Sequence, residues 1–432
     1  MRRSAWVPAA AFLLGIALHW PSTLWFRDEA GYVGQARLLL DGRLRPDRAS
    51  VVHAWDTPRG PIAEYPFAFP ALIALPFAVT PRGVFAVAAG TALLLGWATS
   101  RKLEAWGGRE PAWGFALLLL PPVLLFSRTA MADVPLAALS MLAWVAPSFG
   151  AFAALTLIKP IGILVAVGLI VGDLAAGRPA KALAPALLGA SAGIAATLAL
   201  NYAATGSIAY AYVRSESGFG AKFLATSGLA HLKTLLLVPP GLMLGAIPLW
   251  RRREFGALGA CGLVVVAMSC FSFVDAGRGA IESLIVAPRL ILPAVVLLGV
   301  GWIDGIARFV PARAVRWCVA ALLFAGAFAT GAVLEARARP RHDALAAAEA
   351  ALTERGGGVL GLGDAAFEAG LLSRYPVVWA EPGAIDVPVV LCASTVESFR
   401  APSASVSCAL AGYEEIHRID PYRVLVRSQG TR

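Results

Sequence analysis

The stretch Glu64–Val79, EYPFAFPALIALPFAV, is apolar enough to be read as a membrane span, and whether it is one decides the side on which every later loop falls. The 432-residue chain around it is 58% hydrophobic and only 15% charged, with a mean hydropathy of +0.70. Too little polar surface remains to cover a soluble globule of this size, so the chain reads as a polytopic α-helical membrane protein. Besides 64–79, apolar segments run over 4–20, 84–100, 111–126, 133–147, 149–158, 161–175, 183–202, 233–250, 256–274, 289–306 and 314–334, which makes about eleven helices. Segments 149–158 and 161–175 are separated at Lys159-Pro160, because proline ends a helix by removing a donor and crowding the preceding turn.

Basic residues test the count, since Lys and Arg gather in cytoplasmic loops. With Arg2 and Arg3 inside, four clusters fall on that same side: Arg101, Lys102 and Arg109; Arg178 and Lys181; Arg251–Arg253; and Arg308, Arg313 and Arg316. Counting 64–79 as a span inverts every one of them. That segment therefore reads as an interfacial helix on the outer surface, broken by Pro66, Pro70 and Pro76, within a long first outer loop 21–83. The other outer loops are 127–132, 159–160, 203–232 and 275–288. Because the net charge of +10 sits in short clusters between apolar segments, it argues for membrane orientation and against a nucleic-acid partner. The N-terminus, MRRSAWVPAAAFLLGIALHW, begins like a secretory signal but lacks a small-x-small cleavage site, and it reads as a retained first span.

After about residue 335 the composition changes. A helix-like stretch, DALAAAEAALTERGGG, precedes the short apolar runs VLGLG, VVWA, VPVVLCA and RVLVRS, so 336–432 is expected to form a small α/β domain outside the membrane. GGGVLGLGD within it lacks the spacing of a dinucleotide fingerprint and reads as a helix end before a strand. Of the five cysteines, Cys261, Cys270 and Cys318 lie in apolar segments as packing residues, while Cys392 and Cys408 can pair if the tail faces an oxidising compartment.

With that topology, the charges that look misplaced fall at the outer ends of helices: Asp28 and Glu29 in WFRDEAGY, Arg128 and Asp133 in SRTAMADVPLAAL, Lys159 in LIKPIG, and Arg289 in APRLILP. Each has a structural explanation alone. Asp28 and Asp133 suit helix N-termini, and Arg289 suits a side chain reaching up to the interface. Two acidic loops and several cations at one membrane level are costly unless they line a wet cavity, and together they point to a site.

These residues also carry a family resemblance. RDEAGYVGQARLLLDGRL, with its acidic pair, Tyr and amphipathic segment, followed by EYPFAFPALIAL, resembles the opening of GT-C membrane glycosyltransferases, in the branch of the protein O-mannosyltransferases and lipid A aminoarabinose transferases. The later SRTAMADVPLAAL, LIKPIG and APRLILP are similar to that branch's second acidic loop, its outer lysine and its late arginine. The likeness covers roughly 1–335, the expected catalytic membrane module.

The resemblance implies an inverting glycosyltransferase that moves a monosaccharide from a polyprenyl-phosphate carrier to a hydroxyl acceptor on the outer face, the acceptor being a lipid, a glycan or a protein. It implies Asp28 as general base with Glu29 beside it in base or acceptor positioning, the order of the two being open. Asp133 is then expected to hold the acceptor or a sugar hydroxyl, Lys159 and Arg289 the phosphate, Arg128 to be a weaker candidate for the phosphate, and Tyr65 to line the sugar site. A lipid phosphate is already a good leaving group, so one base and the cations suffice, without the second acid that glycosidases use. Branches that handle pyrophosphate donors use a divalent ion on an Asp-x-Asp pair. Asp28-Glu29 is not that motif, and His19, His53, His231, His342 and His417 show no ligand spacing, so metal-independent catalysis is expected. The rival reading is a transporter or flippase of a lipid-linked sugar, which would carry charges near the bilayer midplane. Ala-, Arg- and Gly-rich usage fits a bacterial inner membrane.

Overall fold

A computed structural model describes residues 7–45, 54–57, 60–63, 65–108, 111–206, 218–271, 289–309, 313–363, 370–379, 387–396, 404–405, 408 and 410–428. The expected outer loop 275–288 lies outside the described residues, as does most of 203–217. The helices are α1 Val7–Leu18, α2 Arg27–Leu40, α3 Ala68–Val79, α4 Ala86–Ala105, α5 Pro121–Phe126, α6 Asp133–Val145, α7 Phe149–Ile158, α8 Ile161–Ala175, α9 Ala180–Thr205, α10 Leu224–Leu237, α11 Ala246–Arg251, α12 Phe255–Ser269, α13 Leu292–Phe309 and α14 Arg313–Glu354. Four of the described helical stretches are long and apolar enough to cross a membrane: Pro81–Ala105, Ala180–Ala204, Leu292–Phe309 and Arg316–Glu354. Seven further apolar helices are shorter, at 10–17 residues.

Composition explains where these helices pack. Along α13 every residue from Leu292 to Gly301 is buried, which makes it a central helix, whereas many apolar residues of the peripheral helices, such as Leu75, Val171 and Leu188, face outward. Backbones approach closely where side chains are smallest. A Cβ on Gly168 of α8 would lie 2.4 Å from Cα of Ala260 on α12, so that crossing depends on the small residue. Lys159 is extended between α7 and α8, as its Lys-Pro sequence dictates.

Three expectations need correction. Pro70 and Pro76 do not break the Glu64–Val79 segment, because α3 runs through both. Pro70 sits in the first turn, where its missing N–H has no intrahelical partner to lose. The second correction is to 111–126, which is not one helix: a 3-10 stretch Pro111–Leu119 turns at Leu120 into the short α5, started by Pro121-Pro122. The third is to 233–250, where α10 ends at Leu237 before Pro239-Pro240, whose missing N–H groups cannot continue it, and a 3-10 turn Leu242–Gly245 leads into α11.

In the tail, β3 Leu360–Leu362, β4 Val377–Trp379, β5 Val389–Ala393, β8 Tyr413–Ile419 and β9 Tyr422–Arg427 form a five-stranded sheet in the order β4-β3-β5-β9-β8. The strands β3, β4 and β5 are parallel, and the β8–β9 hairpin adds antiparallel to β5. Small hairpins β1 Ala54–Thr57 with β2 Gly60–Ala63, and β6 Thr395–Val396 with β7 Ala404–Ser405, complete the strands. Gly356, Gly357 and Gly358 all have positive φ and end α14 before β3. Cys392 and Cys408 are disulfide-bonded, with Cα atoms 5.9 Å apart. The expected boundary at 335/336 falls inside α14, so the sheet is carried on the continuation of the last apolar helix, against Ala344, Leu345, Ala348 and Leu352.

Candidate active site

Polar side chains collect at the two ends of α6. At its C-terminal end, Trp144 Nε1 and Trp106 Nε1 each donate to Glu254 at 2.9 Å, and Lys102 pairs with Glu254 at 2.8 Å while lying 4.3 Å over the Trp144 ring. Nearby, Arg252 and Arg308 both pair with Asp304, at 3.3 and 3.1 Å. These cations belong to the clusters assigned to the cytoplasmic side, where acids and tryptophans lock them to the helix ends. Asp133 opens the other end of α6. At 1.5 Å per residue the two ends lie about 17 Å apart, with apolar Leu136, Ala137, Ala138 and Met141 buried between them.

At the Asp133 end the structure brings four of the expected residues into two ion pairs. Asp28 in the first turn of α2 pairs through Oδ2 with Arg289 Nη1 at 2.8 Å, and the arginine is the more buried partner, 7% against 28% exposed. Lys159 Nζ pairs with Asp133 Oδ1 at 2.8 Å, both side chains buried. Asp133 Oδ2 has no hydrogen-bond partner among the described residues.

The turn 127–132 joins the two pairs. Its Ala130 N–H donates to Glu29 Oε1 at 2.7 Å, its Met131 Sδ lies 4.0 Å from Arg289 Nη1, and Asp133 follows it directly. Glu29 is fully buried. Its Oε2 accepts the backbone N–H groups of Trp25 and Phe26 at 2.7 and 2.8 Å, so one carboxylate caps α2 and ties it to the turn before α6. Burial pushes the Glu29 carboxyl up to about 7, while the three N–H donors, all satisfied at once by the ionised form, pull it down. Adjacent helical residues point about 100° apart, which is how Asp28 faces Arg289 while Glu29 turns into the protein.

Tyr65 is buried against this helix start. Its ring lies 4.1 Å from that of Tyr32, and a Cβ on Gly31 would fall 2.2 Å from it, so the glycine of the motif makes room for the tyrosine. Arg128 is set apart from both ion pairs. It is fully buried, donates from Nη2 to Ala327 O of α14 at 3.3 Å and lies 5.4 Å over the Trp25 ring. Its Nε and Nη1 have no partner among the described residues.

Several residues around the site were not singled out in the sequence. Glu335 on α14 accepts from Ser22 Oγ and, at 2.9 Å, from Trp25 Nε1. Arg341 donates to Leu24 O at 2.8 Å and to Tyr422 Oη at 3.0 Å, and Arg37 of α2 donates to Ser373 O at 2.6 Å. The sheet is thereby fastened to both ends of the helix that carries Asp28. An acid closing the last apolar run at 314–334 was the available signal for Glu335; backbone acceptors such as Leu24 O leave none. Among the described residues no three His, Cys, Asp or Glu side chains gather as a metal-binding group.

No family model and no curated protein matches the sequence. Solved structures do match. The crystal structure of ArnT from Cupriavidus metallidurans bound to undecaprenyl phosphate is 14% identical with a TM-score of 0.65, over 99% of this chain and 99% of that one. The apo structure of the same protein is 14% identical with a TM-score of 0.65, over 98% of each chain. With helix order and sheet both inside that near-complete overlap, the chain has the fold of ArnT, and its long apolar helices are those of a membrane protein.

Proposed function

We propose that the chain is an inverting glycosyltransferase of the bacterial inner membrane, moving a monosaccharide from a polyprenyl-phosphate carrier to a hydroxyl acceptor on the outer face. Its scaffold has about eleven spans with the C-terminal sheet outside. The observation that carries the reading is Asp28, a part-exposed carboxylate facing the buried cation Arg289 beside a second acid–base pair. A base next to a phosphate-binding cation is what transfer from a lipid phosphate requires. ArnT was solved bound to undecaprenyl phosphate, and the shared fold supports the same class of carrier here. The disulfide Cys392–Cys408 supports an oxidising compartment for the sheet.

In the proposed reaction Asp28 takes the proton of the acceptor hydroxyl as its oxygen attacks the anomeric carbon opposite the phosphate. The bond from that carbon to the phosphate oxygen breaks, its electron pair stays on the phosphate, and the configuration inverts. Arg289, able to grip two oxygens, and Lys159 hold the leaving group. The unpartnered Oδ2 of Asp133 accepts a hydroxyl of the sugar or acceptor. Glu29 is a positioning residue that holds Asp28 and the 127–132 turn in register, and Tyr65 sets the start of α2 beside the sugar site. Arg128 takes no part in phosphate binding in this reading. No divalent ion is invoked in this reading, in which Asp28 and Asp133 are each matched by a side-chain cation.

A flippase would use the same charges as a path. The apolar interior of α6 between its two polar ends supports the enzyme instead. The test has two stages: mass spectrometry of the lipid-linked sugars that accumulate when the protein is removed identifies the donor, and transfer from that donor is then measured with purified protein. Loss of transfer in Asp28→Asn is the expected result, and wild-type transfer in that variant overturns the reading.

A further inference from the structure

A groove with about 420 Å3 of empty space runs between the 3-10 stretch Pro111–Leu119, the second half of α13 and the start of α14. Its lining is apolar, including Trp113, Trp302, Ile306, Ala320 and Leu323, with one exception, Arg316. The Arg316 guanidinium lies 5.3 Å over the Trp113 ring, which holds it beside the groove. The groove is at the edge of the bundle. Only 17% of the residues in the apolar window of α14 are buried, and Leu322 and Phe309 face outward. Water finds no partners on such a lining, whereas a hydrocarbon chain gains contacts along its whole length. The Arg316 end also carries surplus positive charge. Between 304 and 316 the sequence sets Arg308, Arg313 and Arg316 against the single acid Asp304. Asp304 is shared by Arg308 and Arg252, at 3.1 and 3.3 Å, so one carboxylate serves two guanidinium groups. Arg308 is 58% exposed and follows the lining residue Ala307.

We propose that this groove is a binding site for one anionic phospholipid, with an acyl chain lying between α13 and α14 and the phosphate held at its basic end by Arg308 and Arg316. An apolar trench closed by cations at one end matches the two halves of such a lipid, and basic pockets between membrane helices take anionic headgroups for the same reason. A guanidinium has five N–H donors, so Arg316 and Arg308 can each accept a phosphate oxygen in addition to the partners they already have. The inference stands apart from the transferase reading, because it uses none of the residues at the Asp133 end of α6. The polyprenyl chain of a sugar carrier is the competing occupant. Its phosphate belongs to the opposite end in the proposed reaction, whereas the charges here sit at the mouth of the groove itself. A lipid in this place would fill the gap between the two long helices and fix the start of α14 against α13.

The test is native mass spectrometry of the purified full-length chain titrated with phosphatidylglycerol and with phosphatidylcholine of the same acyl chains. One phosphatidylglycerol is expected to bind about tenfold more tightly than phosphatidylcholine. Arg308→Gln and Arg316→Gln are each expected to weaken phosphatidylglycerol binding about fivefold and to leave phosphatidylcholine binding unchanged, the scale of one cation near an anionic headgroup. Ala320→Trp, which places an indole in the groove, is expected to weaken both lipids about tenfold, while Leu322→Trp on the outward face of the same helix changes neither. Melting temperature gives a second reading: phosphatidylglycerol should raise it in wild type and in Leu322→Trp but not in Ala320→Trp. Equal affinity for the two lipids in wild type overturns the proposal, as does equal weakening by the two tryptophan substitutions. Displacement of bound phosphatidylglycerol by an equimolar amount of undecaprenyl phosphate would make the polyprenyl chain the occupant and overturns it as well. If Ala320→Trp does not fold, Arg308→Gln decides alone, and unchanged phosphatidylglycerol binding in that variant overturns the site.

Discussion

The ring of Tyr65 occupies the space in which a Cβ on Gly31 would sit, 2.2 Å from the nearest ring carbon. Two effects oppose each other in Gly31→Ala. Alanine gains about 1 kcal/mol of helix propensity over glycine, and crowding a packed ring costs about 1–3 kcal/mol. The ring cannot retreat freely, because Tyr32 lies on it with centroids 4.1 Å apart. Crowding is expected to win, with a lower melting temperature and transfer reduced about tenfold by displacement of the helix start. A melting temperature above wild type would show that the contact is not a constraint.

Glu29 makes stability depend on pH with a definite sign. Its folded pKa, raised from 4.5 to about 7, means that the folded chain holds the proton more tightly than the unfolded chain. Its contribution is fully present below about 4.5 and is lost as pH rises through about 7. Melting temperature is expected to fall over that window and to fall less in Glu29→Gln. Glu29→Ala strands three buried N–H groups and should cost at least about 3 kcal/mol at any pH. Parallel melting profiles for wild type and Glu29→Gln would refute the assignment.

Lys159 and Asp133 are expected to be interdependent. Lys159→Met leaves a buried carboxylate unpaired and should destabilise the chain by about 3–5 kcal/mol. The double variant Asp133→Leu with Lys159→Met should recover most of that loss while remaining without transfer activity. Denaturation in detergent measures the first effect and the donor assay the second; additive losses would mean that the pair does not interact.

The two polar ends of α6 should be separable by chemical labelling. A cysteine placed at Arg251 is expected to react with an impermeant maleimide only after the membrane is opened, and one placed at Glu414 on β8 before it is opened. Equal reactivity from outside would overturn the proposed topology.

Much of the membrane scaffold was legible, because apolar length and basic clustering both reflect the bilayer. The apolar segments coincide with described helices except at 111–126 and at 233–250, where α10 ends at Leu237 and α11 starts only at Ala246, and Lys159-Pro160 falls between α7 and α8. The exceptions have local causes. Pro70 stops nothing where the first turn of α3 has no bond to lose, α3 runs on through Pro76, and Pro121-Pro122 and Pro239-Pro240 each split a run that hydropathy alone reads as one helix. At the site, the individual charges were visible as anomalies, but their pairing was not. Asp28 meets Arg289 from the far end of the membrane module, and nothing local marks the two as partners. The division of labour between Asp28 and Glu29 was hidden for a different reason. What commits Glu29 inward is a set of backbone donors from Trp25, Phe26 and Ala130, which every sequence possesses.

The helix α14 runs unbroken for 42 residues from Arg313 to Glu354, with Pro340 inside it. At 1.5 Å per residue that is about 63 Å, roughly twice the hydrocarbon thickness of a bilayer. The sheet therefore stands on a mast rather than hanging from a tether. Having no linker at the membrane surface, it must move with the helix that bears it. Any tilt of that mast about its Arg313 end would be magnified along its length, where Arg341 holds the stretch of chain leading into Asp28.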